Sequence, residues 1–436
     1  MAAERFHLAW FVGGGFGVGE WDGPWRGSDG RAWFGPDFYV DFARSLERAG
    51  FDYLIIEDSS FVCDAYAGSA EVYLRNAMTV PKQDPAVLAT ILTQATSRIG
   101  VVPTLTVTEY PPFLLARLVS TLDHVSAGRA GWNIVTGSSD RAAQNYGRDT
   151  QPPHDVRYDM ADEFTRLVCQ LWESWEVDAI VDDPDGGIYA DHTKVHTVDF
   201  EGQWFKSRGP LNTARPPQGR PVLVQAGGSP RGREFAAAHA DSIIASATDA
   251  AMMKEYRDDV CARMERLGRK PDDCKVLFLV SPTLAETSEE AHAKQARIDA
   301  HRLARPELGL AGVGFITDLD MSPYDVDTPI EELEAQFETN GHQSSLAHML
   351  KGSRTLREVA ARKHAFEPAG TPDEVAGIMA DVMDEVGGDG FLFYLPAMNR
   401  RAVAEITEGL VPALQKRGLV RRTYTHEMFR DNLLEF

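Results

Sequence analysis

The sequence predicts an α/β protein built as a (β/α)8 barrel, and three observations support this prediction. Short apolar runs, rich in β-branched and aromatic residues, alternate with longer segments of helical periodicity along most of the 436 residues. The short runs are apolar at successive positions, which is typical of parallel strands covered by helices. Eight such units can be counted, and that number favours a closed barrel over an open doubly wound sheet.

Each element of the barrel is predicted from its own residues. The apolar runs predict strands at residues 6–11, 53–57, 99–107, 130–136, 222–225, 242–246, 275–280 and 390–395. Each run is followed by a candidate helix, and the helical periodicity is clearest over residues 36–49, 85–96, 154–175, 286–305, 371–386 and 399–416. The helix near 371 is predicted to begin with Thr371 as its N-cap and Pro372 in its first turn.

Two segments interrupt the alternation of strands and helices. Residues 182–220 are rich in Gly, Pro, Asp and His, and residues 195–205 within them suggest an extra hairpin. Residues 306–368 contain an isolated helical patch but no clear strand. Because both segments lie between barrel units, we expect them to be insertions in a single domain that spans residues 1–436.

The composition excludes several classes of function. The chain has 44 basic and 65 acidic side chains, and the formal charge of −21 argues against a nucleic-acid partner, which needs clustered Lys and Arg. No apolar run approaches the roughly 20 residues of a membrane-spanning helix, and the N-terminus does not resemble a secretory signal. The four cysteines are far apart, which argues against a disulfide framework. These features predict a reduced, cytoplasmic protein with no membrane attachment.

Residues just beyond the carboxyl ends of the strands form the active site in a barrel of this kind. Asn133 is a polar residue within a predicted apolar strand, and its buried carboxamide needs a partner in either a core network or a ligand. Gly227, Gly228 and Ser229 lie where a predicted strand meets a predicted helix, a position that suits an anion such as phosphate. An ordinary N-cap is the other interpretation of this junction.

Other patterns give weaker signals. His192 and His196 are four residues apart in a segment that looks extended, so no metal site is predicted. No G-x-G-x-x-G fingerprint, G-x-S-x-G, P-loop or H-E-x-x-H motif is present. Residues 12–32 carry glycines together with Trp21 and Trp25, which predicts a lid that covers a planar substrate, with residues 306–368 as a second candidate.

Several motifs together resemble one protein family. They are the segments 108–117 (TEYPPFLLAR), 126–136 (SAGRAGWNIVT), 154–164 (HDVRYDMADEF), 194–196 (KVH), 209–211 (GPL), 225–233 (QAGGSPRGR), 326–330 (VDTPI) and 411–418 (VPALQKRG). The chain resembles, over nearly its whole length, the flavin-dependent monooxygenases typified by nitrilotriacetate monooxygenase, pristinamycin synthase and dibenzothiophene-sulfone monooxygenase. This group is a branch of the bacterial-luciferase-like superfamily, whose fold is a TIM barrel that binds FMN at its carboxyl-terminal mouth.

The resemblance implies a set of flavin contacts. They are Asp58, Thr104, Asn133, His154, Tyr158, Gly228 and Ser229. In this set Ser229 and the neighbouring amides bind the phosphate, Thr104 bonds the edge of the isoalloxazine ring, and Asn133 is an additional contact. His154 is the implied catalytic residue, as a hydrogen-bond donor or proton shuttle; a purely structural role at the helix start is its alternative.

The implied reaction has two components. A separate NAD(P)H:flavin reductase supplies FMNH2, which reacts with O2 to give a flavin peroxide that transfers one oxygen atom to a small organosulfur, aminocarboxylate or heterocyclic compound. A homodimer or homotetramer is expected. Two alternatives remain at this stage, an F420-dependent hydride-transfer oxidoreductase of the same superfamily and a non-catalytic flavin-binding protein. The Trp-Asn-x-Val-Thr segment and the long insertions favour the monooxygenase.

Overall fold

A closed barrel of eight parallel strands forms the centre of the computed structural model, which describes residues 5–13, 35–339, 341–395 and 398–436. The strands follow one another around the barrel in chain order, and the last strand pairs with the first. They are β1 (His7–Val12), β2 (Tyr53–Ile56), β3 (Gly100–Thr106), β4 (Gly131–Val135), β5 (Val222–Gln225), β6 (Ser242–Ala245), β7 (Lys275–Val280) and β8 (Gly390–Phe393). The predicted (β/α)8 barrel is therefore confirmed.

Helices surround the barrel and fill the insertions. The α-helices are Asp37–Ala49, Glu71–Arg75, Pro85–Ala95, Pro112–Val125, Asp140–Asn145, His154–Glu173, Pro230–His239, Ala250–Arg266, Ser288–Ala304, Pro306–Thr317, Ile330–Leu333, Gln343–Leu350, Leu356–Ala360, Pro372–Val386, Arg400–Ala404, Val411–Lys416 and Phe429–Leu433. Short 3₁₀ turns occur at Tyr66–Gly68, His192–Lys194, Pro271–Asp273 and Glu334–Gln336. None of the helices within the described ranges is both long enough and apolar enough to cross a membrane.

Local chemistry explains where two of these helices begin or change pitch. Thr371 caps the helix Pro372–Val386: its hydroxyl accepts from the backbone N–H of Glu374, whose carboxylate accepts from the N–H of Thr371 in return. The predicted helix over 399–416 is present as an unbroken helical run from Arg400 to Lys416, but a π-helical turn, Glu405–Leu410, lies between its two α-helical segments and was not predicted. Pro412, the second residue after this turn, has no N–H to donate to the carbonyl of Glu408 and crowds it, so the regular α-helical hydrogen-bond pattern is interrupted there.

The barrel interior is packed with apolar side chains and closed at its amino-terminal end. Strand residues such as Tyr53, Val102 and Leu277 form one buried cluster with Phe429 and Leu433 of the last helix. Gly100, the first residue of β3, is required there, because a β-carbon at this position would lie 2.6 Å from the ring of Phe429. The carboxyl-terminal helix therefore plugs one mouth, and ligand access is from the opposite end.

The first insertion contains more regular structure than its sequence indicated. An antiparallel hairpin, Ile180–Asp183 with Ile188–Ala190, was not predicted, and its first strand is exposed along its whole length. The hairpin suggested over 195–205 corresponds to the short pair Phe200–Glu201 with Lys206–Ser207. His196 Nε2 donates to Glu176 Oε1 over 2.6 Å, so this ring nitrogen is bound to a carboxylate.

The second insertion is larger than the isolated helical patch that the sequence suggested. Residues 306–360 contain the helices Pro306–Thr317, Ile330–Leu333, Gln343–Leu350 and Leu356–Ala360, which share a small apolar core of their own. Asp318 attaches this insertion to the loop after β4: its carboxylate accepts from Ser139 Oγ and from the N–H of Asp140, both at 2.8 Å. The insertion thus lies against the carboxyl-terminal mouth of the barrel.

Candidate active site

Strands β2 to β5 bring the implied flavin contacts to the carboxyl-terminal half of the barrel. Asp58 follows β2, Thr104 lies in β3, Asn133 lies in β4, and Ser229 follows β5. His154 and Tyr158 occupy the first two turns of the helix His154–Glu173, which comes after β4. The contacts below divide these residues into three groups.

The first group is a pair of side chains inside the barrel wall. Thr104 and Asn133 are directly opposite in the β3–β4 ladder, and Asn133 Nδ2 donates to Thr104 Oγ1 over 2.8 Å. Both residues are buried, and Asn133 Oδ1 is also buried but accepts no hydrogen bond. A buried acceptor without a donor costs free energy, so this oxygen suits a ligand that brings an N–H group.

The second group surrounds the Gly-Gly-Ser junction after β5. Ser229 caps the helix Pro230–His239, and its Oγ accepts from the N–H of Gly232 over 3.0 Å. The ordinary N-cap is therefore present, and the hydroxyl proton of Ser229 remains able to donate to an anion. Gly227 allows a close approach of the backbone, because a β-carbon there would lie 2.5 Å from the carbonyl oxygen of Gly232.

Tyr158 and His154 belong to the same group as Ser229. A β-carbon on Gly232 would lie 2.7 Å from the Tyr158 hydroxyl, so this hydroxyl lies directly against the first turn of the helix that Ser229 caps. The rings of His154 and Tyr158 make an edge-to-face contact with centroids 5.2 Å apart. His154 Nδ1 is hydrogen-bonded to Asp155 Oδ1 over 2.7 Å, which leaves Nε2 as the nitrogen available for a ligand. Burial raises the pKa of Tyr158, so its hydroxyl stays protonated as a donor.

Asp58 belongs to a third group, an acidic cluster beyond β2 and β3. Burial raises the pKa of Asp58 to about 7; Lys82 opposes this rise, while the carboxylates of Glu57 and Glu109 add to it. Lys82 forms an ion pair with Glu57 and donates to Ser59 Oγ over 2.7 Å. Glu109 is held by Ser60 Oγ at 2.9 Å. The Asp58 carboxyl is therefore partly protonated near neutral pH.

Two residues near the second group were not identified from the sequence as functional. Arg157 is buried in the helix His154–Glu173 and donates to the carbonyl of Pro152 over 2.7 Å. His342 comes from the second insertion, and desolvation of its ring by the surrounding protein, together with the charges of Arg157 and His154, lowers its pKa to about 4. Arg157 lies within the 154–164 motif, so the sequence contained a signal that could have identified it as a site residue. No motif in the sequence around His342 marks that residue.

The lid predicted over residues 12–32 is described only at residues 12 and 13. Trp21 and Trp25, and the rest of residues 14–34, lie outside the described residues.

Comparison with known proteins decides the family. The family model described as luciferase-like monooxygenase matches residues 16–390. The chain belongs to this family. It is 35% identical over 443 residues to the dibenzothiophene-sulfone monooxygenase of Rhodococcus erythropolis (strain XP), a match that covers 99% of this chain and 96% of the relative. It is 35% identical over 412 residues to nitrilotriacetate monooxygenase component A of Aminobacter aminovorans, covering 91% and 89% of the two chains.

A solved structure agrees with these relatives. A riboflavin lyase crystallised with modified FMN and riboflavin superposes with a TM-score of 0.89 at 32% identity, covering 99% of this chain and 96% of that chain. The family, the barrel and the monooxygenase class that the motifs predicted are therefore confirmed for this luciferase-like monooxygenase, which is a flavin-dependent enzyme.

The residues of the site fit FMN at both of its ends. The unsatisfied Asn133 Oδ1 is an acceptor for a ring N–H, and the flavin ring has one. The Gly-Gly-Ser junction offers a hydroxyl and a helix N-terminus, and Tyr158 adds a second hydroxyl, which is the chemistry that a phosphate needs. Arg231 is not part of this cradle, because its guanidinium is paired with Asp159 and Asp162.

Proposed function

We propose that this luciferase-like monooxygenase is the oxygenase of a two-component system. A separate NAD(P)H:flavin reductase would supply FMNH2, and one atom of O2 would enter a small organic substrate while the other leaves as water. The observation that carries the proposal is the pairing of an unsatisfied buried acceptor, Asn133 Oδ1, with an anion cradle at Ser229 and Tyr158. Such a site can bind the flavin ring at one end and the phosphate of FMN at the other.

Each group of side chains has a distinct task in this proposal. Reduced FMN, when bound, supplies the electrons that activate O2. Thr104 and Asn133 orient the ring edge, while Ser229, the amide of Gly228 and Tyr158 hold the phosphate. Asp58 is the flavin contact on the side of β2, where its carboxyl can give or take a proton near neutral pH.

The charges beyond β2 and β3 favour some of the expected substrates over others. The cluster contains three carboxyl groups, those of Glu57, Asp58 and Glu109, against two cations: Lys82, which pairs with Glu57, and Arg148, whose charge acts on Glu109. A substrate with several carboxylates would be repelled by the carboxyl groups of this cluster. We therefore propose a neutral or weakly charged organosulfur or heterocyclic compound in preference to an aminocarboxylate.

An anaerobic titration followed by an oxygen pulse tests the proposed function. The chain is titrated separately with FMNH2 and with reduced F420, and is then exposed to ¹⁸O2 with a panel of sulfones, thioethers, heterocycles and aminopolycarboxylates. We expect binding of FMNH2 and incorporation of one ¹⁸O atom into a sulfur compound or a heterocycle. Hydride transfer from F420 without oxygen incorporation, or flavin binding with no product from any compound, would contradict the proposal in favour of the two alternatives.

Replacing His154 by alanine tests the proposed catalytic role of this residue. If Nε2 holds a proton for the reaction, we expect the variant to fold and bind FMN, but to release more H2O2 per NADH consumed and less product. His154→Gln, which keeps a hydrogen-bonding side chain, is the matched control and should be intermediate. Weaker FMN binding with unchanged coupling would assign His154 to phosphate binding alone, in keeping with its contact to Tyr158.

We also propose a homodimer or homotetramer, assembled through an apolar outer face. The neighbouring helices Pro85–Ala95 and Pro112–Val125 expose Val87 (63%), Ile91 (38%) and Leu114 (50%) to solvent. Apolar side chains clustered on the surface mark an interface. We expect the double variant Val87→Asp/Ile91→Asp to be monomeric by light scattering after size exclusion, and Val177→Asp, at an exposed site elsewhere, to keep the native mass. An unchanged mass for the double variant would exclude this face.

A further inference from the structure

We propose that the second insertion completes the FMN phosphate site, with Ser344 and His342 as phosphate-binding residues. This inference rests on the proposed function, because it assigns further ligands to the same phosphate. The insertion would then bind the cofactor, in addition to any role it has in covering the substrate.

The contact between Ser344 and Gly228 is the first step of the argument. A β-carbon on Gly228 would lie 2.6 Å from Ser344 Oγ and 3.2 Å from Ser344 Cβ. The Ser344 side chain therefore lies against the bare backbone of the Gly-Gly-Ser junction, next to the residue that caps the following helix. A hydroxyl at this place can donate to an anion bound at Ser229.

The position of His342 is the second step. His342 is two residues before Ser344 in the chain, and the charges of Arg157 and His154 both act on its ring. His154 is in turn in contact with Tyr158. The His342 imidazole has an N–H that can donate a hydrogen bond to a phosphate bound beside Ser344.

The third step is that the segment carrying both residues is held in place by the barrel loops. The N–H of His342 donates to the carbonyl of Ile316 over 3.1 Å, and a β-carbon on Gly341 would lie 3.1 Å from the carbonyl oxygen of Ser138. Asp318, through Ser139 and Asp140, fixes the same part of the insertion to the loop after β4. The phosphate ligands on the insertion are thus positioned before FMN arrives, which reduces the entropy lost on binding.

The test compares FMN with riboflavin, which has the same ring and no phosphate. Affinities of both oxidised flavins are measured by fluorescence for the unaltered chain and for Ser344→Ala, Ser344→Asp and His342→Ala. We expect FMN binding to weaken at least about fivefold in Ser344→Ala and more than about tenfold in Ser344→Asp, with riboflavin affinity within about twofold of the unaltered chain. His342→Ala should behave like Ser344→Ala.

A neighbouring serine supplies the matched control. Ser345→Ala and Ser345→Asp make the same changes one position further along the helix Gln343–Leu350 and should leave the FMN affinity unchanged. Hydrogen exchange gives a second readout: amides of residues 341–350 should be protected by FMN but not by riboflavin. Circular dichroism checks that each variant is folded.

Two results would overturn the inference. In the first, Ser344→Asp and Ser345→Asp bind FMN equally well. In the second, FMN and riboflavin lose affinity by the same factor, which would place Ser344 away from the phosphate. If the unaltered chain bound no FMN, the proposed function would fail, and this inference would fail with it.

Discussion

Replacing Asp52 by alanine is expected to lower the free energy of unfolding by about 3 kcal/mol or more, because it leaves a buried arginine without its main charge partner. Asp52, just before β2, accepts hydrogen bonds from His7 Nδ1 (2.9 Å), the N–H of Leu8 (3.0 Å) and the guanidinium of Arg421 (2.6 Å). The side chains of Asp52 and Arg421 are each only 1% exposed. The carboxylate thus ties β1, β2 and the carboxyl-terminal segment together.

The pH dependence of this stabilisation has a definite sign. Burial alone would raise the pKa of Asp52, but the charges of His7 and Arg421 and the hydrogen bonds outweigh it and lower the pKa. A carboxyl group with a lowered folded-state pKa stabilises the fold above its ordinary pKa, near 4, and loses this contribution as the pH falls through the lowered value. The difference between the unaltered chain and Asp52→Ala should therefore be full at pH 7 and shrink in acid.

Urea denaturation followed by circular dichroism measures both effects. Asp178→Ala, which removes an exposed ion pair with Lys194, is the control and should change stability much less than Asp52→Ala does. Equal losses for Asp52→Ala and Asp178→Ala, or a loss that is the same at pH 7 and pH 3, would contradict this account.

The barrel was predictable because its signals are local. The runs that became β5 and β7 are apolar at every position but one, Gln225 in β5 and Lys275 in β7, and the structure reproduces their bounds, Val222–Gln225 and Lys275–Val280. Other strands differ from prediction by one or two residues at an end, as with 99–107 against Gly100–Thr106, because an extended chain continues beyond the last ladder bond. The π-helical turn at Glu405–Leu410 was not predicted because the spacing of apolar residues indicates a helix without distinguishing α from π pitch.

The insertions were predicted less well because their structure depends on tertiary contacts. Helices as short as Ile330–Leu333 and Leu356–Ala360 are not stable alone, and they form because their apolar faces share one small core. The contact of Ser344 with Gly228 joins residues that are far apart in the chain. No periodicity or capping signal could reveal it.

The candidate site was predicted less completely than the barrel and more completely than the insertions. The sequence left open whether Asn133 serves a core network or a ligand, and the structure gives a mixed answer: its Nδ2 is bonded to Thr104, while its Oδ1 has no partner. The Ser229 N-cap was one of two interpretations of its junction, and it is present. A serine cap does not exclude phosphate binding, because its hydroxyl oxygen and its proton serve different partners.

Replacing Ser229 by aspartate is expected to weaken FMN binding at least about tenfold, or about 1.4 kcal/mol, because it places a carboxylate against the phosphate. Aspartate is as good an N-cap as serine, so the helix Pro230–His239 should remain intact. The change therefore alters charge at the junction and little else. Fluorescence titration with oxidised FMN and with riboflavin measures the two affinities.

Ser229→Asn is the control that separates charge from shape. Asparagine caps helices equally well and matches aspartate in size, but it is neutral, so FMN affinity should stay within about threefold of that of the unaltered chain. Riboflavin has no phosphate and should bind all three forms alike. Because the hydroxyl of Tyr158 and the amide of Gly228 remain in Ser229→Asn, the loss in Ser229→Asp should come from repulsion. Equal losses for FMN and riboflavin, or equal affinities of the Asp and Asn variants for FMN, would show that the phosphate binds elsewhere.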